Sequence, residues 1–366
     1  MSQTKHETKL FADKLQAYKQ EIDADIAVYT KRMERETLQQ FGANARLEMD
    51  SFLSILERGG KRIRGALTML AYEMSGGTDH KMILEAARAV EMTHAYILII
   101  DDIQDHSNIR RGGPAAHVLL ANYHRRHQLA NDPGHFGTAI AINAALSGAH
   151  AAQGIFATLN VDADRKMRAI TTINHTMMVT AHGQTNDIIN EVVAEVSHRD
   201  IERVLEWKTA HYTFLNPLTI GMILAGENDK NISAITDYAM HAGKAFQITD
   251  DILGTFGDEF DSGKSPLDDI REGKRTLIIG YALEHTNDEN KNFLVQMLGN
   301  AQITPVEFER CRDILVESGA LDYALKAAKN HVASAVKALE HHPNSWSKDG
   351  VQFLRGLATY LLERTT

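Results

Sequence analysis

The distribution of proline limits what this chain can fold into more than any other feature of its sequence. The 366 residues contain six prolines, at positions 114, 133, 217, 266, 305 and 343, so the first 113 residues contain none. Because proline disrupts helix interiors, long stretches without it favour helices. Between residues 6 and 40, apolar side chains recur every three or four positions, which predicts one long amphipathic helix. With no convincing strand, repeat or linker in the sequence, we expect an all-α chain with a single domain over residues 1–366.

Helical segments recur along the rest of the chain. We expect them at 46–56, 65–75, 81–105, 117–128, 138–159, 162–181, 199–214, 218–225, 231–253, 276–284, 305–317, 320–339 and 347–363. Turn-forming residues predict a loop at 129–137. The only long irregular segment runs from 254 to 273 and contains four glycines. Segments of that length are usually functional or disordered, and Lys264 and Lys274 are placed as in a lid over phosphate.

Composition excludes several classes of protein. The net charge of −9 argues against a nucleic-acid footprint. The apolar runs are too short to span a bilayer, and the first residues resemble no signal peptide. One cysteine, Cys311, excludes an intrachain disulfide and fits a reducing cytoplasm. We therefore expect a cytoplasmic protein without stable membrane insertion.

The stretch from 91 to 114, EMTHAYILIIDDIQDHSNIRRGGP, combines an apolar run with two acidic positions and an arginine pair. On a helix, Asp101 and Asp105 share a face, roughly 6 Å apart along the axis. Two carboxylates this close suit Mg²⁺ that also binds phosphate oxygens. Arg110 and Arg111 suit a diphosphate. A solvated acidic helix end is the alternative interpretation of the aspartates alone.

A basic stretch and a second aspartate pair extend this pattern. Lys61, Arg62 and Arg64 follow two glycines, which would let backbone amides approach a ligand. A phosphate pocket and a plain surface loop both fit these residues. Asp250 and Asp251 close another apolar segment far along the chain, and two such pairs facing each other across a bundle would form a shared metal site.

In this order, the segments GGKRIR, DDIQD-x4-RRGGP, GQ-x2-D, KT, FQITDD and GK-x9-K resemble the trans-polyprenyl diphosphate synthases, and the resemblance covers nearly the whole chain. It implies a bundle of about a dozen helices around a deep central cavity, usually in a homodimer. The implied reaction is the condensation of isopentenyl diphosphate with an allylic diphosphate in trans. The implied cofactor is Mg²⁺.

The resemblance also assigns roles to individual residues. The Mg²⁺ ligands would be Asp101, Asp105 and Asp250. The side chains that neutralise the allylic diphosphate would be Arg110, Lys208, Lys264 and Lys274. Isopentenyl diphosphate would bind Lys61, Arg64, His94 and Arg111. Gln247, with the backbone of Lys208 and Thr209, would lie along the carbocation that forms when diphosphate departs.

Two departures from the family pattern affect these expectations. The second motif is commonly DDxxD, but here Gly254 stands at its fifth position, from which we expect weaker metal binding. At Asn143 and Ala144 the family often has Gly-Asp, and the role of that missing aspartate stays open.

Three other functions compete with chain elongation. A class I terpene cyclase shares the bundle but would leave Lys61, Arg64 and Arg111 without a second diphosphate to bind. A non-catalytic subunit of a heteromeric synthase usually loses an aspartate motif, and Gly254 is a partial loss. A metal-dependent phosphohydrolase leaves the RRGGP and KT segments unexplained.

Product length is expected to depend on the residues four and five positions before Asp101, namely Ile97 and Tyr96. The growing chain should run back along this helix, away from the arginines. One aliphatic and one aromatic side chain at this floor suggest geranylgeranyl diphosphate as product, with farnesyl diphosphate next. Alternatively, Tyr96 only packs in the core, where tyrosines are often found.

Overall fold

The structure, a computed structural model, describes residues 3–257 and 267–363, and this part of the chain is almost entirely helical. The helices are α1 (Gln3–Phe41), α2 (Ala43–Glu57), α3 (Ile63–Met74), α4 (His80–Gln104), α5 (Ala116–Arg126), α6 (Pro133–Thr158), α7 (Ala163–Val192), α8 (His198–Val204), a π-helix (Leu205–Leu215), α9 (Asn216–Ala225), α10 (Asp229–Ser233), α11 (Thr236–Phe256), α12 (Asp268–Glu272), α13 (Leu277–His285), α14 (Asp288–Met297), α15 (Pro305–Glu317), α16 (Ala320–Ala338), a 3₁₀ turn (Leu339–His341) and α17 (Lys348–Glu363). The expected all-α fold is confirmed.

Two strands of two residues each interrupt the helices. β1 (Ile109–Arg110) and β2 (Gly113–Pro114) form an antiparallel hairpin directly after α4. Strands this short carry no alternating pattern that a sequence could reveal. The expectation of no strand is wrong at this one place.

Three loop assignments also differ from expectation. The predicted loop 129–137 ends early, because Asp132 accepts a hydrogen bond from the backbone N–H of His135 and Pro133 begins α6. The segment 254–273 is not irregular throughout, since α11 continues to Phe256 and α12 occupies 268–272. Residues 258–266, including Lys264, lie outside the described residues. Helix α14 was not predicted, although Asn287 caps it by accepting from the N–H of Asn290 at 2.9 Å.

Helix α4 lies at the centre of the fold, where it packs against α1, α2, α3, α5, α6 and α9. Its apolar residues are buried around most of its circumference. This explains why the sequence of α4 is apolar on nearly every side, as in a helix surrounded by others. The last turn of α4 carries the first aspartate pair.

Two apolar clusters stabilise the fold. The larger one joins α1–α7, α9, the first half of α11 and the C-terminal helices. The smaller one joins α8, the second half of α11 and α12–α16, with Ile252, Leu277 and Leu315 among its members. Because its first half belongs to the larger cluster and its second half to the smaller one, α11 connects the two clusters. No helix among the described residues is both long and apolar enough to cross a membrane.

Candidate active site

A cavity of about 740 Å³ opens between α4, α7, the π-helix and α11, with α12 and the segment after it at one side. Its wall includes most of the residues singled out by the sequence. They are Arg64, His94, Tyr96, Ile97, Asp101, Asp105, Arg110, Arg111, Lys208, Thr209, Gln247, Asp250 and Lys274. Residues that are far apart in the sequence therefore share one chamber.

The first aspartate pair lies within reach of three cations. Arg110 Nη2 is 3.2 Å from Asp101 Oδ2, and Lys208 Nζ is 3.6 Å from Asp101 Oδ1. Lys274 Nζ is 3.1 Å from Asp105 Oδ2. The neighbouring Asp102 is fully buried and accepts a hydrogen bond from Arg110 Nε at 2.7 Å. Asp101 and Asp105 thus face the cavity, whereas Asp102 anchors Arg110.

The two lysines stay charged in this environment. Burial opposes the charge of Lys208, but the carboxylates of Asp187 and Asp101 outweigh it and raise the pKa above its ordinary value. For Lys274, burial is likewise outweighed by carboxylates, of which Asp105 contributes most, and the pKa is raised. Both side chains can therefore offer a full positive charge to an anion in the cavity.

The π-helix carries Lys208 and Thr209 into the cavity, and two glycines allow it to come close to its neighbours. A Cβ on Gly183 of α7 would lie 2.3 Å from the backbone N of Lys208, and one on Gly243 of α11 would lie 2.4 Å from the Cα of Ala210. Any other residue at either position would push the helices apart. Local π-helical geometry is frequent at functional sites, and here the π-helix contributes Lys208 and Thr209 to the cavity wall.

The side chain of Gln247 is held in one orientation by its neighbours. Its Oε1 accepts from Thr209 Oγ1 at 2.6 Å, and its Nε2 donates to Asp251 Oδ1 at 2.7 Å. Burial, followed by the carboxylate of Asp269, raises the pKa of Asp251 well above its usual range. The amide of Gln247 is consequently a fixed dipole on the wall of the cavity.

Arg64 and Arg111 form a second cationic group on the cavity wall. Arg64 Nη1 donates to His94 Nε2 at 3.2 Å, so the ring proton of His94 is on Nδ1, which donates to the hydroxyl of Tyr212 at 2.6 Å. Burial, followed by the charge of Arg64, lowers the pKa of His94 well below its usual range. His94 is therefore a neutral hydrogen-bonding group and adds no charge.

Arg111 is crowded by other cations. Burial lowers its pKa to about 10, and the charges of Arg62, Arg64 and Arg110 act in the same direction. Arg62 itself is buried in ion pairs with Asp23 and Glu91 and does not line the cavity. A concentration of positive charge of this kind is stabilised by a bound anion.

Lys61 is placed differently from the other expected site residues that the structure describes. Lys61 does not line the cavity, and its Nζ lies 3.3 Å from the hydroxyl of Tyr360 on α17. Lys264 lies outside the described residues.

The second acidic pair lies across the cavity from the first. Asp250 and Asp251 both line it, together with Asp269 of α12. A Cβ on Gly254 would lie only 2.5 Å from Asp269 Oδ2. Thus a carboxylate from α12 lies against the position where the second motif departs from DDxxD.

The sequence analysis did not include three polar residues of the wall among the site residues. Gln184 Nε2 lies 3.5 Å from Asp105 Oδ1, Asp187 Oδ2 lies 2.6 Å from Lys208 Nζ, and Asp269 approaches Gly254. The signal for the first two was the motif GQ-x2-D on α7. Asp269 gave no comparable signal, because it lies within the segment 254–273 that was expected to be irregular.

The donor set of the cavity fits a hard divalent cation such as Mg²⁺. Asp101, Asp105 and Asp250 offer carboxylate oxygens from two walls, the ligand type that Mg²⁺ prefers. The described residues form no closed cluster of three or more metal-ligating side chains. Mg²⁺ is usually held by one or two carboxylates and takes its other ligands from phosphate and water.

The sequence is similar to those of several known proteins. The sequence model of the polyprenyl synthetase family matches residues 47–315. A geranylgeranyl diphosphate synthase of Saccharolobus solfataricus is 31% identical over 318 residues, covering 87% of this chain and 90% of the relative. A geranylfarnesyl diphosphate synthase of Aeropyrum pernix is 30% identical over 315 residues, covering 85% and 92%.

Solved structures have a similar fold over nearly the whole chain. The geranylgeranyl pyrophosphate synthase of Corynebacterium glutamicum, complexed with isoprenyl diphosphate and magnesium, superposes with a TM-score of 0.86 at 28% identity and covers 100% of both chains. A polyprenyl synthase of Caulobacter crescentus, complexed with calcium and isoprenyl diphosphate, gives a TM-score of 0.77 at 25% identity and covers 97% of this chain and 98% of that one.

Proposed function

We propose geranylgeranyl diphosphate as the product of this chain, which belongs to the polyprenyl synthetase family and elongates prenyl chains as a prenyl diphosphate synthase. Its substrates are isoprenyl diphosphates. The observation that best supports chain elongation is a single cavity with two cationic groups, one beside the aspartates and one around Arg64 and Arg111. Two anionic groups can therefore bind at once, as the joining of isopentenyl diphosphate to an allylic diphosphate requires.

The site beside the aspartates is proposed to bind the allylic diphosphate. Asp101, Asp105 and Asp250 would hold Mg²⁺, which would supply electrostatic stabilisation of the leaving diphosphate when bound. Arg110, Lys208 and Lys274 are assigned to the same diphosphate because each is charged and faces the cavity. Lys264 is assigned to it by sequence alone.

The second site is proposed to bind the diphosphate of isopentenyl diphosphate. Arg64 and Arg111 supply charge, and His94 supplies a neutral imidazole that Arg64 and Tyr212 hold in place. Lys61 completes this set in our proposal, since its long side chain starts from the loop just before Arg64. Charge-assisted hydrogen bonds of this type contribute roughly 1.5–3 kcal/mol each.

The reaction needs no nucleophilic side chain. The allylic C–O bond breaks and the diphosphate keeps the electron pair. The double bond of isopentenyl diphosphate then attacks the carbocation, and a proton leaves for the departed diphosphate. The Gln247 carbonyl oxygen and the backbone at Lys208 and Thr209 are proposed to line the path of the cation, where fixed dipoles stabilise positive charge.

The floor of the cavity is proposed to limit the product. Tyr96 and Ile97 both line it on α4, on the N-terminal side of the aspartates. Burial raises the pKa of Tyr96 to about 12, so its hydroxyl stays neutral. The names of two relatives support a product of this length range, because one is a geranylgeranyl and the other a geranylfarnesyl diphosphate synthase.

The whole chain is further proposed to act as one domain in a cytoplasmic homodimer. Large apolar side chains are exposed on α6 and α7, namely Ile142, Leu146, Met167, Met178, Ile189 and Val192. Such surfaces often mark sites where proteins associate. This exposure supports a dimer that buries α6 and α7.

Purified protein supplied with Mg²⁺, isopentenyl diphosphate and each allylic primer in turn tests the function. We expect C20 diphosphate as the main product by chromatography, and no product in excess chelator. Consumption of the allylic substrate without isopentenyl diphosphate would indicate a cyclase instead. A protein that is inert alone but active with a second prenyl synthase chain would be a regulatory subunit.

A further inference from the structure

Arg110 and Arg111 both belong to the hairpin of β1 and β2, in which each strand has only two residues. Ile109 pairs with Pro114 and Arg110 pairs with Gly113. The turn residues Arg111 and Gly112 have φ angles of 52° and 70°, a region that arginine rarely adopts. Because isolated two-stranded hairpins are marginally stable at best in water, contacts from elsewhere must hold this one.

Arg58, the residue directly after α2, makes such contacts with both strands. Its Nη1 donates to the backbone oxygen of Arg110 at 2.8 Å, and its Nη2 donates to the backbone oxygen of Pro114 at 2.8 Å. Its Nε donates to the backbone oxygen of Ser54 at 3.1 Å, within the last turn of α2. One planar guanidinium thus links the hairpin to α2 by a fork that lysine cannot reproduce.

The fit between Arg58 and the hairpin is close. A Cβ on Gly113 would lie 2.4 Å from Arg58 Nη1. The hairpin therefore has a glycine where the guanidinium crosses it.

We propose that Arg58 is a positioning residue that sets the direction in which Arg111 enters the cavity. Arg58 does not line the cavity and acts through the hairpin backbone. Arg110 depends on it less, because Asp102 holds the Arg110 side chain separately. The guanidinium of Arg111 donates to the backbone oxygen of Ile55, again on α2. This inference rests on the proposed function, in which Arg111 binds isopentenyl diphosphate.

Calorimetric titration with isopentenyl diphosphate, without an allylic substrate, tests the proposal in the full chain. Arg58→Met keeps the aliphatic stem and removes every donor, and Arg58→Lys keeps the charge without the fork. We expect both to weaken binding, by about tenfold for Arg58→Met, since both hydrogen bonds from Arg58 to the hairpin are lost. Steady-state kinetics should show a larger rise in KM for isopentenyl diphosphate than for the allylic substrate. Arg46→Met, at the other end of α2, is the control and should bind normally.

A double-substitution cycle separates positioning from a general loss of stability. Gly113→Ala should weaken binding by itself, because the new methyl group displaces the guanidinium. Combined with Arg58→Met it should add little, because the group it displaces is already gone. Additive losses, or equal KM changes for both substrates that follow the loss of thermal stability, would overturn the positioning role.

Titration of the wild-type protein distinguishes a failure of the proposed function from a failure of the positioning role of Arg58. Wild-type protein that does not bind isopentenyl diphosphate would overturn the proposed function, and the positioning role with it. Normal wild-type binding with unchanged binding by Arg58→Met would overturn the positioning role alone.

Discussion

Lys208 shows how a single side chain connects the walls of the cavity. Its Nζ lies 2.6 Å from Asp187 Oδ2 on α7 and 3.6 Å from Asp101 Oδ1 on α4. The carboxylates raise its pKa despite burial. The paired carboxylates offset the cost of burying the charge of Lys208. The lysine therefore keeps the positive charge that binds an anion.

At the residue scale, the first prediction concerns Asp101. Asp101→Ala should lower kcat by on the order of a thousandfold, because it removes a carboxylate assigned to Mg²⁺ at the leaving group. Measurement of kcat at saturating Mg²⁺ checks this. Asp229→Ala, which alters a carboxylate with 90% of its side chain exposed, is the control. Near-normal turnover by Asp101→Ala would refute the metal assignment.

The second prediction concerns the pH dependence of stability through Glu191. Burial, followed by the carboxylates of Asp187 and Asp105, raises the pKa of Glu191 to about 7. Since its pKa in the unfolded chain is about 4.3, the folded state holds this proton more tightly. The resulting stabilisation is complete below the unfolded pKa and is lost as the pH rises through about 7. Relative to Glu191→Gln, the wild-type free energy of unfolding should therefore fall over this range.

Urea denaturation in chelator from pH 5 to pH 8 measures this difference. Glu195→Gln, which alters an exposed carboxyl in the segment between α7 and α8, is the control and should show no such trend. A wild-type to Glu191→Gln difference that stays constant with pH would contradict the prediction.

At the scale of elements, the π-helix and the helices beside it determine the shape of the cavity. Gly183 on α7 and Gly243 on α11 lie so close to the backbone of the π-helix that neither position has room for a Cβ atom. The close approach places Lys208 and Thr209 opposite α4. The second half of α11 then carries Gln247 and Asp250 to the same chamber.

The third prediction belongs to the contact between α11 and α12. Gly254→Asp would restore the DDxxD pattern, but Asp269 already lies where the new side chain would begin. We expect the apparent affinity for Mg²⁺ to fall, because two carboxylates are forced together. The double variant Gly254→Asp with Asp269→Ala should recover it. Mg²⁺ titrations of activity, and of the thermal stabilisation by Mg²⁺ with diphosphate, measure the effect.

Gly254→Ala is the control for this prediction, since it adds the methyl group without the charge. If Gly254→Asp alone tightened Mg²⁺ binding, Asp269 would have to be free to move aside.

The fourth prediction concerns the floor on α4. Tyr96→Ala removes an aromatic ring from the cavity wall, so we expect a larger share of products longer than geranylgeranyl diphosphate. Chromatography of the products measures the distribution, and Tyr123→Ala on α5 is the control. An active Tyr96→Ala variant with unchanged products would mean that Tyr96 only packs in the core.

At the scale of the whole molecule, the cavity lies between the two apolar clusters. Leu98 of the larger cluster and Ile201 and Leu205 of the smaller one all line it. The wall thus contains both apolar and charged side chains. A prenyl chain can be buried in the first while its diphosphate is held by the second.

The fifth prediction concerns association. Leu146 on α6 is 57% exposed, and Leu146→Lys adds a charge that is hard to bury in an interface. We expect wild-type protein to have the mass of a dimer by light scattering and Leu146→Lys to shift toward monomer. Leu129→Lys, in the loop before α6, is the control. A wild-type monomer would exclude the proposed dimer.

The sequence by itself determined the helical class, most of the helices and 13 of the residues that line the cavity. Helices are local structures, and their apolar periodicity, caps and stops can be read from a few consecutive residues. The aspartate and arginine motifs were readable for the same reason, since each lies within one segment.

Only the tertiary structure decided what depends on contacts between distant segments. Asp269 meets Gly254, Arg58 meets the hairpin, and Lys61 points to Tyr360 through contacts that no local pattern records. Helix α14 was missed although its cap lies in the sequence, because its own apolar pattern is weak. The pKa values of charged side chains depend on which carboxylates surround them after folding. Packing across the whole chain determines those neighbours.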